Sequence, residues 1–485
     1  MAGTLDRARA ALASRDFRFL LAGRLTSQLA DGLFQAFLVA RLVFLNPEKH
    51  GTALGVAEAY AVLVIPFSVV GPLAGVFIDR WSRRRILWIA PLIRAAACAA
   101  LLPLAGASLV LYAPALVVVS LNRFYLSTAS AVMPTLVADE FLLVGNSMAT
   151  VGGTVATFVG IVAGTKLVGP MGSRGVLALT VALYPAAAWA AAGIGTALRP
   201  RPTQAQSIRE DLARVTRELL QGARRLRATP AAVGSIASVS IDQFLVGLVT
   251  VLSLVVLKER FKEGVGSFGN ITAAGGLGVL AGTLTVGWFE GRLTKPRIVA
   301  VAFAVAGIVT TGLSPAITGF TILVISFCLG LTFAWRKIPV DTIVQEVIPD
   351  RFRGRVFAVY DIVYSMARVV AAGVAYLLIP HLSTGWLVAA VGVAYLIWTP
   401  VLPWWVRRPQ WVSVRFYAGG KADEVARAVE LAGEEQTVEM ERSWSEDHPT
   451  GRRRRLRLRA PDGSTFDVVQ PAGSDRWQVE TTQAF

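Results

Sequence analysis

Gly71-Pro72-Leu73-Ala74-Gly75-Val76-Phe77-Ile78-Asp79-Arg80-Trp81-Ser82-Arg83-Arg84-Arg85 decides how this chain is read. An apolar run stops at Asp79, and four arginines follow within six residues. Ionisable groups at the centre of a bilayer cost roughly 2.5–3.5 kcal/mol each on insertion scales, so lipid-facing chain does not hold such a cluster. The stretch predicts a membrane exit, and its arginines predict the cytoplasmic side.

Composition agrees. The 485 residues are 54% hydrophobic and only 16% charged, with a mean hydropathy of +0.55, too apolar for a soluble enzyme of this length. Cys98 and Cys328 sit inside apolar runs, which predicts neither a disulfide framework nor a thiol metal site. His50, His381 and His448 are far apart and read as scattered surface histidines. Residues 1–16 are basic, but Arg24, Asp31 and Arg41 interrupt the apolar stretch that follows, so the first helix is expected to stay as an anchor rather than be cleaved. The net charge is +16. From Trp411 onward 11 basic residues meet 13 acidic ones, leaving 37 against 19 in the chain before it. That excess lies in short connections between apolar runs, which points to anionic membrane lipids as partners and not to nucleic acid.

A bilayer span needs about 20 mainly apolar residues, and twelve runs qualify: 18–45, 52–78, 86–105, 109–134, 142–168, 175–197, 231–257, 266–289, 298–315, 317–345, 356–380 and 385–405. Runs of this length satisfy their backbone in lipid only as helices. Pro66, Pro91, Pro103, Pro134, Pro185, Pro339 and Pro400 then mark kinks. Arginine and lysine gather in alternate connections: Arg7 to Arg18, Arg80 to Arg85, the segment 198–228, Arg292 to Arg297, Arg351 to Arg355, and Arg407-Arg408. The acidic Ala138-Asp139-Glu140 and the basic Lys258–Lys262 run against that trend. The balance predicts both termini in the cytoplasm.

The two halves echo each other. Ser27-Gln28-Leu29-Ala30-Asp31 returns as Ser238-Val239-Ser240-Ile241-Asp242, and Val137–Phe141 returns as Ile348–Phe352, both 211 residues on. Gly71–Gly75 returns as Gly278–Gly282, 207 residues on, without the acid that follows the first copy. Paired six-helix halves with a path between them are a transporter plan. The expected fold is therefore an all-α membrane protein of twelve transmembrane helices in two pseudo-symmetric halves, 1–197 and 230–408. A cytoplasmic linker, 198–229, joins them. Ile208, Leu212, Val215, Leu219 and Leu226 give that linker an amphipathic face, read as resting on inner headgroups.

Residues 409–485 read as a small cytoplasmic α+β domain of order βαβββ with a final short strand. Strands are expected at 411–417, 437–444, 453–459, 465–470 and 477–481, and a helix at 421–431. In the arginine run 452–459, Leu456 and Leu458 are expected to point inward from a solvated strand face.

The spacing Gly-x3-Asp-Arg-x-Ser-x-Arg-Arg resembles the loop between the second and third helices of the major facilitator superfamily, which has Gly in place of Ser82. Gly23–Gly32 and Pro349–Phe357 look like bacterial exporters of the enterobactin-exporter and macrolide-efflux type. Drug/proton antiporters usually carry a Gly-Pro-rich fifth helix; here Gly152-Gly153, Gly160 and Gly164 precede a Gly169-Pro170 at its end. The resemblance implies that Gly71, Gly75, Asp79, Arg80, Arg84 and Arg85 form a gate motif. Asp79 and Arg80 would then meet the start of the eleventh span near Arg355 and Asp361 and hold the inward gate shut.

No Gly-x4-Gly-Lys-[Ser/Thr] loop, catalytic triad or metal-ligand set stands out, so neither an enzyme nor a cofactor is expected. Ionisable residues inside spans remain, and these are functional candidates by default. Asp31, Asp242, Glu58, Arg123 and Arg336 form the candidate proton and substrate site, with Arg94, Asp341 and Arg368 also inside spans. Arg123 is the expected counter-charge to Asp31. The reading is a monomeric secondary transporter in a bacterial inner membrane, a proton-coupled exporter of an amphipathic or hydrophobic small molecule by alternating access. A lipid or lysolipid flippase of the same fold, and a transporter-like sensor signalling through 411–485, are the alternatives.

Overall fold

A computed structural model describes residues 4–41, 82–103, 108–195, 208–257, 261, 264–290 and 292–406 of the helical part. Of the tail it describes 410–417, 425–431, 434–448, 451–459, 465–471, 474 and 477–480. The helices run α1 Thr4–Ala13, α2 Arg15–Val39, α3 Arg83–Leu101, α4 Ser108–Leu136, α5 Asp139–Ala192, α6 Ile208–Arg227 and α7 Pro230–Val255. They continue as α8 Val265–Glu290, α9 Lys295–Leu313, α10 Gly319–Val347, α11 Asp350–Leu378, α12 Thr384–Trp398 and α13 Val401–Val406. Among the described residues, eight helical segments are long and apolar enough to cross a membrane. The first and third expected spans coincide with α2 and α3, which carry charge in their interiors. The second expected span, 52–78, lies outside the described residues.

α5 contains two helices. Its 54 residues would reach about 80 Å as one rod, far more than the ~30 Å of a hydrocarbon core. The break falls at Gly172, whose φ of +71° is left-handed and open to a residue without Cβ.

Small residues bring helices together where lipid offers no hydrophobic drive. α2 packs along α5, where a Cβ on Gly32 would overlap the Thr157 carbonyl oxygen and one on Gly160 would overlap that of Leu29. In the second half α8 and α10 meet in the same way through Gly278, Gly282 and Gly330. The glycines of the expected fifth span thus serve close packing against the first.

The linker α6 is a helix as expected, but its buried stripe rests on protein. Gly222, Arg225, Leu226 and Thr229 are buried, and α6 packs against α11. A Cβ on Gly222 would stand 2.6 Å from the Arg355 carbonyl oxygen, and Arg225 lies over the Phe352 ring at 5.9 Å. The missing side chain at Gly222 is what lets this basic helix approach the start of α11.

The tail corrects its α+β reading. Seven strands, β1 Gln410–Tyr417, β2 Val425–Leu431, β3 Glu434–Thr437, β4 Glu439–His448, β5 Gly451–Arg459, β6 Thr465–Gln470 and β7 Trp477–Glu480, form one sheet. Its order is β3-β2-β1-β7-β6-β5-β4, and every pairing is antiparallel. Of the segment expected as a helix, 421–431, the first four residues lie outside the described residues and the rest, Val425–Leu431, is β2. Its register slips where Arg415 faces Ala428 and Phe416 faces Ala426, which makes Arg427 the extra residue of a bulge. The bulge turns Ala426 and Val429 to the same core, both fully buried, and so produces an i, i+3 apolar spacing that imitates a helix. Leu456 and Leu458 point inward as expected. Outward arginines are matched by acids: Arg457 donates to both Asp467 oxygens at 2.8 and 2.9 Å, and Arg455 reaches Glu446 at 2.8 Å.

Candidate functional site

Asp31 lies well inside α2 and is almost fully buried. Its partner is Arg94 of α3, with which it forms an ion pair, and not Arg123. Arg94 has no exposed surface. It donates through Nη1 to Ser27 Oγ at 2.9 Å and through Nη2 to Tyr184 Oη at 2.9 Å. Tyr184 in turn donates to Asp31 Oδ1 at 2.9 Å, and its ring lies under the guanidinium at 4.2 Å. Asp31 Oδ2 has no hydrogen-bond partner among the described residues.

The second half repeats this arrangement. Asp242, on α7 and fully buried, pairs with Arg336 of α10 at 2.6 Å. Tyr395 Oη donates to Asp242 Oδ1 at 3.0 Å, and Ser238 accepts from Trp398 Nε1 at 3.1 Å. In each half the tyrosine lies 153 residues after the acid it serves. Asp31, Ser27 and Tyr184 therefore map onto Asp242, Ser238 and Tyr395 with one shift of 211 residues. Two charges sealed in a protein interior persist only with further hydrogen bonds; the tyrosines give each acid one, and Ser27 and the Ala302 carbonyl accept from Arg94 and Arg336.

The arginines break the symmetry. Arg94 comes from the third helix of its half, whereas Arg336 comes from the fourth helix of the other. The position matching Arg336 in the first half is close to Arg123, and Arg123 does not join Asp31. It lies in electrostatic reach of Asp361 and Tyr364 of α11. A second difference concerns the acid's outer oxygen. Gln243 Nε2 donates to Asp242 Oδ2 at 3.1 Å, whereas Gly32, 211 residues earlier, has no side chain to offer.

The remaining sequence candidates separate. Gly71, Gly75, Asp79, Arg80 and Glu58 lie outside the described residues. Arg84 donates to the Ala192 carbonyl at 3.0 Å, and Arg85 is exposed. Arg355 and Asp361 do not share one environment. Arg355 lies over Phe352 at 5.6 Å, beside the linker, while Asp361 interacts with Arg123, Lys337 and Asp341. The expectation missed Tyr184, Tyr395 and Gln243. The tyrosines obey the same 211-residue shift already visible in the acids, so the signal was present.

Two buried acid–arginine pairs are costly to keep inside a chain of long apolar helices, and comparison with known proteins shows which family this chain falls in. Residues 235–429 match the model of the Major Facilitator Superfamily. An uncharacterized MFS-type transporter of Mycobacterium tuberculosis is 30% identical over 384 residues, covering 76% of this chain and 85% of that protein. The chain belongs to the major facilitator superfamily. It is a multi-pass membrane transporter of a family that moves small molecules. This superfamily member is also 22% identical to Macrolide efflux protein A of Streptococcus pyogenes over 361 residues, 72% of this chain and 86% of the relative. Among solved structures it shares its fold with the peptide transporter POT (TM-score 0.66, 12% identity, 83% of this chain and 99% of that one). A bacterial homologue of the iron transporter ferroportin, in its inward-facing state, gives a TM-score of 0.60 at 17% identity, covering 81% and 99%.

Proposed function

We propose that this protein is a proton-coupled exporter of an amphipathic small molecule. It would have twelve transmembrane helices in two halves and both termini in the cytoplasm of a bacterial inner membrane, and would work by alternating access. The single observation that carries the reading is the duplicated buried acid. Intramembrane carboxylates are expensive, and they mark ion and proton paths. Asp31 is the stronger proton carrier of the two, because Oδ2 is buried without a hydrogen-bond partner among the described residues, whereas Asp242 has both oxygens engaged. An unsatisfied buried acceptor costs about 1–3 kcal/mol, which leaves Oδ2 the open place for a proton; because a neutral Asp31 would strand the buried Arg94, uptake goes together with opening of the pair to water. Opening of the surrounding helices to water on one side lets the proton leave. Rocking of the two halves then exposes the path to each side in turn. The gate motif at Gly71–Arg85 would brace the inner ends of the helices, and residues 409–485 would form a cytoplasmic appendage.

The test is a profile of small molecules inside and outside cells that express the wild-type chain, the Asp31→Asn variant, or neither. Each profile is taken with and without a protonophore. Wild type should shift a set of amphipathic compounds outward, and the protonophore or Asp31→Asn should abolish the shift. An outward shift that persists without a proton gradient would overturn proton coupling. If no compound depends on the chain at all, export itself is refuted.

A further inference from the structure

The sealed pair of the second half is tied to polar side chains that water can reach. On α10, Lys337 Nζ donates to the two Asp341 oxygens at 2.7 and 2.5 Å, and Tyr360 Oη of α11 donates to the same carboxylate at 3.0 Å. The Lys337 and Asp341 side chains each keep 29% exposure. Charged groups within spans face the bundle interior or water and not lipid, so this cluster opens on an aqueous space. Aromatic rings carry it onward along α11. Lys337 Nζ lies 4.7 Å from the Tyr360 ring centre and 5.8 Å from that of Tyr364. The two rings meet edge to face at 6.1 Å, and the Arg368 guanidinium stands 5.7 Å from the centre of Tyr364.

Arg368 completes the path to the buried acid. Its Nε donates to Gln243 Oε1 at 2.6 Å, and Gln243 Nε2 donates to Asp242 Oδ2 at 3.1 Å. Chemistry fixes that orientation of the amide, because a guanidinium only donates and a carboxylate only accepts. Gln243 is 1% exposed, so water does not compete for either end. The other carboxylate oxygen, Oδ1, is held by Arg336 and Tyr395. The first half has no such path. Moved back by 211 residues, Gln243, Arg368, Tyr364 and Lys337 become Gly32, Thr157, Gly153 and Leu126. There Thr157 Oγ1 donates to the Gly153 carbonyl of its own helix at 3.1 Å, and Gly32 lies directly against the Thr157 backbone.

We propose that Gln243 is a positioning residue that makes the sealed Asp242–Arg336 pair answer to the accessible Lys337–Asp341 cluster. While the cluster is intact, Arg368 anchors the Gln243 carbonyl and so keeps the amide on Asp242 Oδ2. When the cluster shifts, Arg368 moves with Tyr364, Gln243 loses its anchor, and Oδ2 loses its donor. A buried charge pair stripped of a supporting hydrogen bond is then easier to open. Asp31 receives no such signal, since no hydrogen bond reaches its Oδ2 among the described residues. The halves thus divide the work: the first carries the proton, and the second registers what occupies the accessible space. The inference rests on the transporter reading only in naming what disturbs the cluster in the cell, a cargo molecule passing through.

The chain supplies its own reporters. Its two cysteines, both buried and free, stand one by each sealed arginine: Cys98 in electrostatic reach of Arg94, and Cys328 of Arg336. N-ethylmaleimide reaches either thiol only when its surroundings open. Peptide mass spectrometry follows both rates in the full-length protein in phosphatidylcholine nanodiscs, with neither cargo nor gradient. Asp341→Asn should speed labelling of Cys328 at least ~5-fold, about 1 kcal/mol of opening free energy, and leave Cys98 unchanged. Gln243→Met, similar in shape but unable to bridge, should speed Cys328 by itself, and adding Asp341→Asn should then change nothing. A glutamine that merely packed would give two accelerations that multiply. Arg368→Gln cuts the same bridge from α11, and it takes the place of Gln243→Met if that variant misfolds and exposes Cys98 as well. No acceleration of Cys328 by Asp341→Asn, or equal acceleration of both thiols, would overturn the proposal. So would an Asp341→Asn effect that survives loss of the bridge, which assigns the coupling to α10, where Lys337 follows Arg336 directly. Failure of export or of proton coupling would leave this result standing, and a failed cycle would leave the transporter reading standing.

Discussion

Asp31 and Arg94 form a pair in which neither member is tolerable alone. Replacing Asp31 by Asn leaves a fully buried guanidinium without its counter-charge, a loss of about 3–5 kcal/mol for a broken buried pair. Asp31→Asn should therefore lower the thermal unfolding midpoint of the detergent-solubilised protein, and Arg94→Gln on top of it should restore much of the loss. A single variant as stable as wild type would show that Arg94 has another anion to lean on. Gly32 is limited by space, because its missing Cβ is the clearance between α2 and α5. Gly32→Ala should cost about 1–3 kcal/mol, the usual range for overpacking, read as a fall in the same midpoint, whereas Gly312→Ala, with open space around it, should not. At this scale the acids and serines were legible in the sequence because the repeat presents them twice. Which arginine serves which acid was not, because Arg94 and Arg336 occupy different helices of their halves and no repeat aligns them.

Periodicity read most of the helices well and failed on β2. A bulge at Arg427 puts Ala426 and Val429 on one face, and a strand with a bulge shows the three-residue spacing of a helix turn. The sheet has a compact core of Ala426, Val429, Val438, Leu456, Leu458, Val468 and Trp477. Such a core should let residues 409–485 fold when expressed alone. Leu456→Ala should then destabilise that fragment by about 2–5 kcal/mol through lost burial and a residual cavity, measured by urea titration of Trp fluorescence. A fragment with a random-coil circular dichroism spectrum would refute independent folding. The linker α6 carries a related lesson. Its amphipathic stripe was plain in the sequence, but a stripe does not say whether lipid or protein covers it. Gly222 against Arg355 answers that.

For the whole molecule, the alternation of arginine-rich connections predicts sidedness. Reporter fusions at Arg201 and at Gln410 should both report the cytoplasm, and an external signal from either would reverse the orientation. The sequence by itself determined the class of the protein: a membrane chain of long apolar runs, doubled at 211 residues, with charge in alternate connections and acids held inside two spans. Those features are local, since bilayer thickness sets run length and the insertion cost of charge sets where arginines stop. Only the tertiary structure decided which arginine meets which acid, that Arg123 looks across to Asp361 instead of to Asp31, and that Gln243 links Asp242 to Arg368 where Gly32 leaves Asp31 sealed. Such pairings depend on which helices adjoin and how closely small residues let them approach. Side chains far apart in the chain meet only once helices pack, and no run of neighbouring residues encodes that meeting.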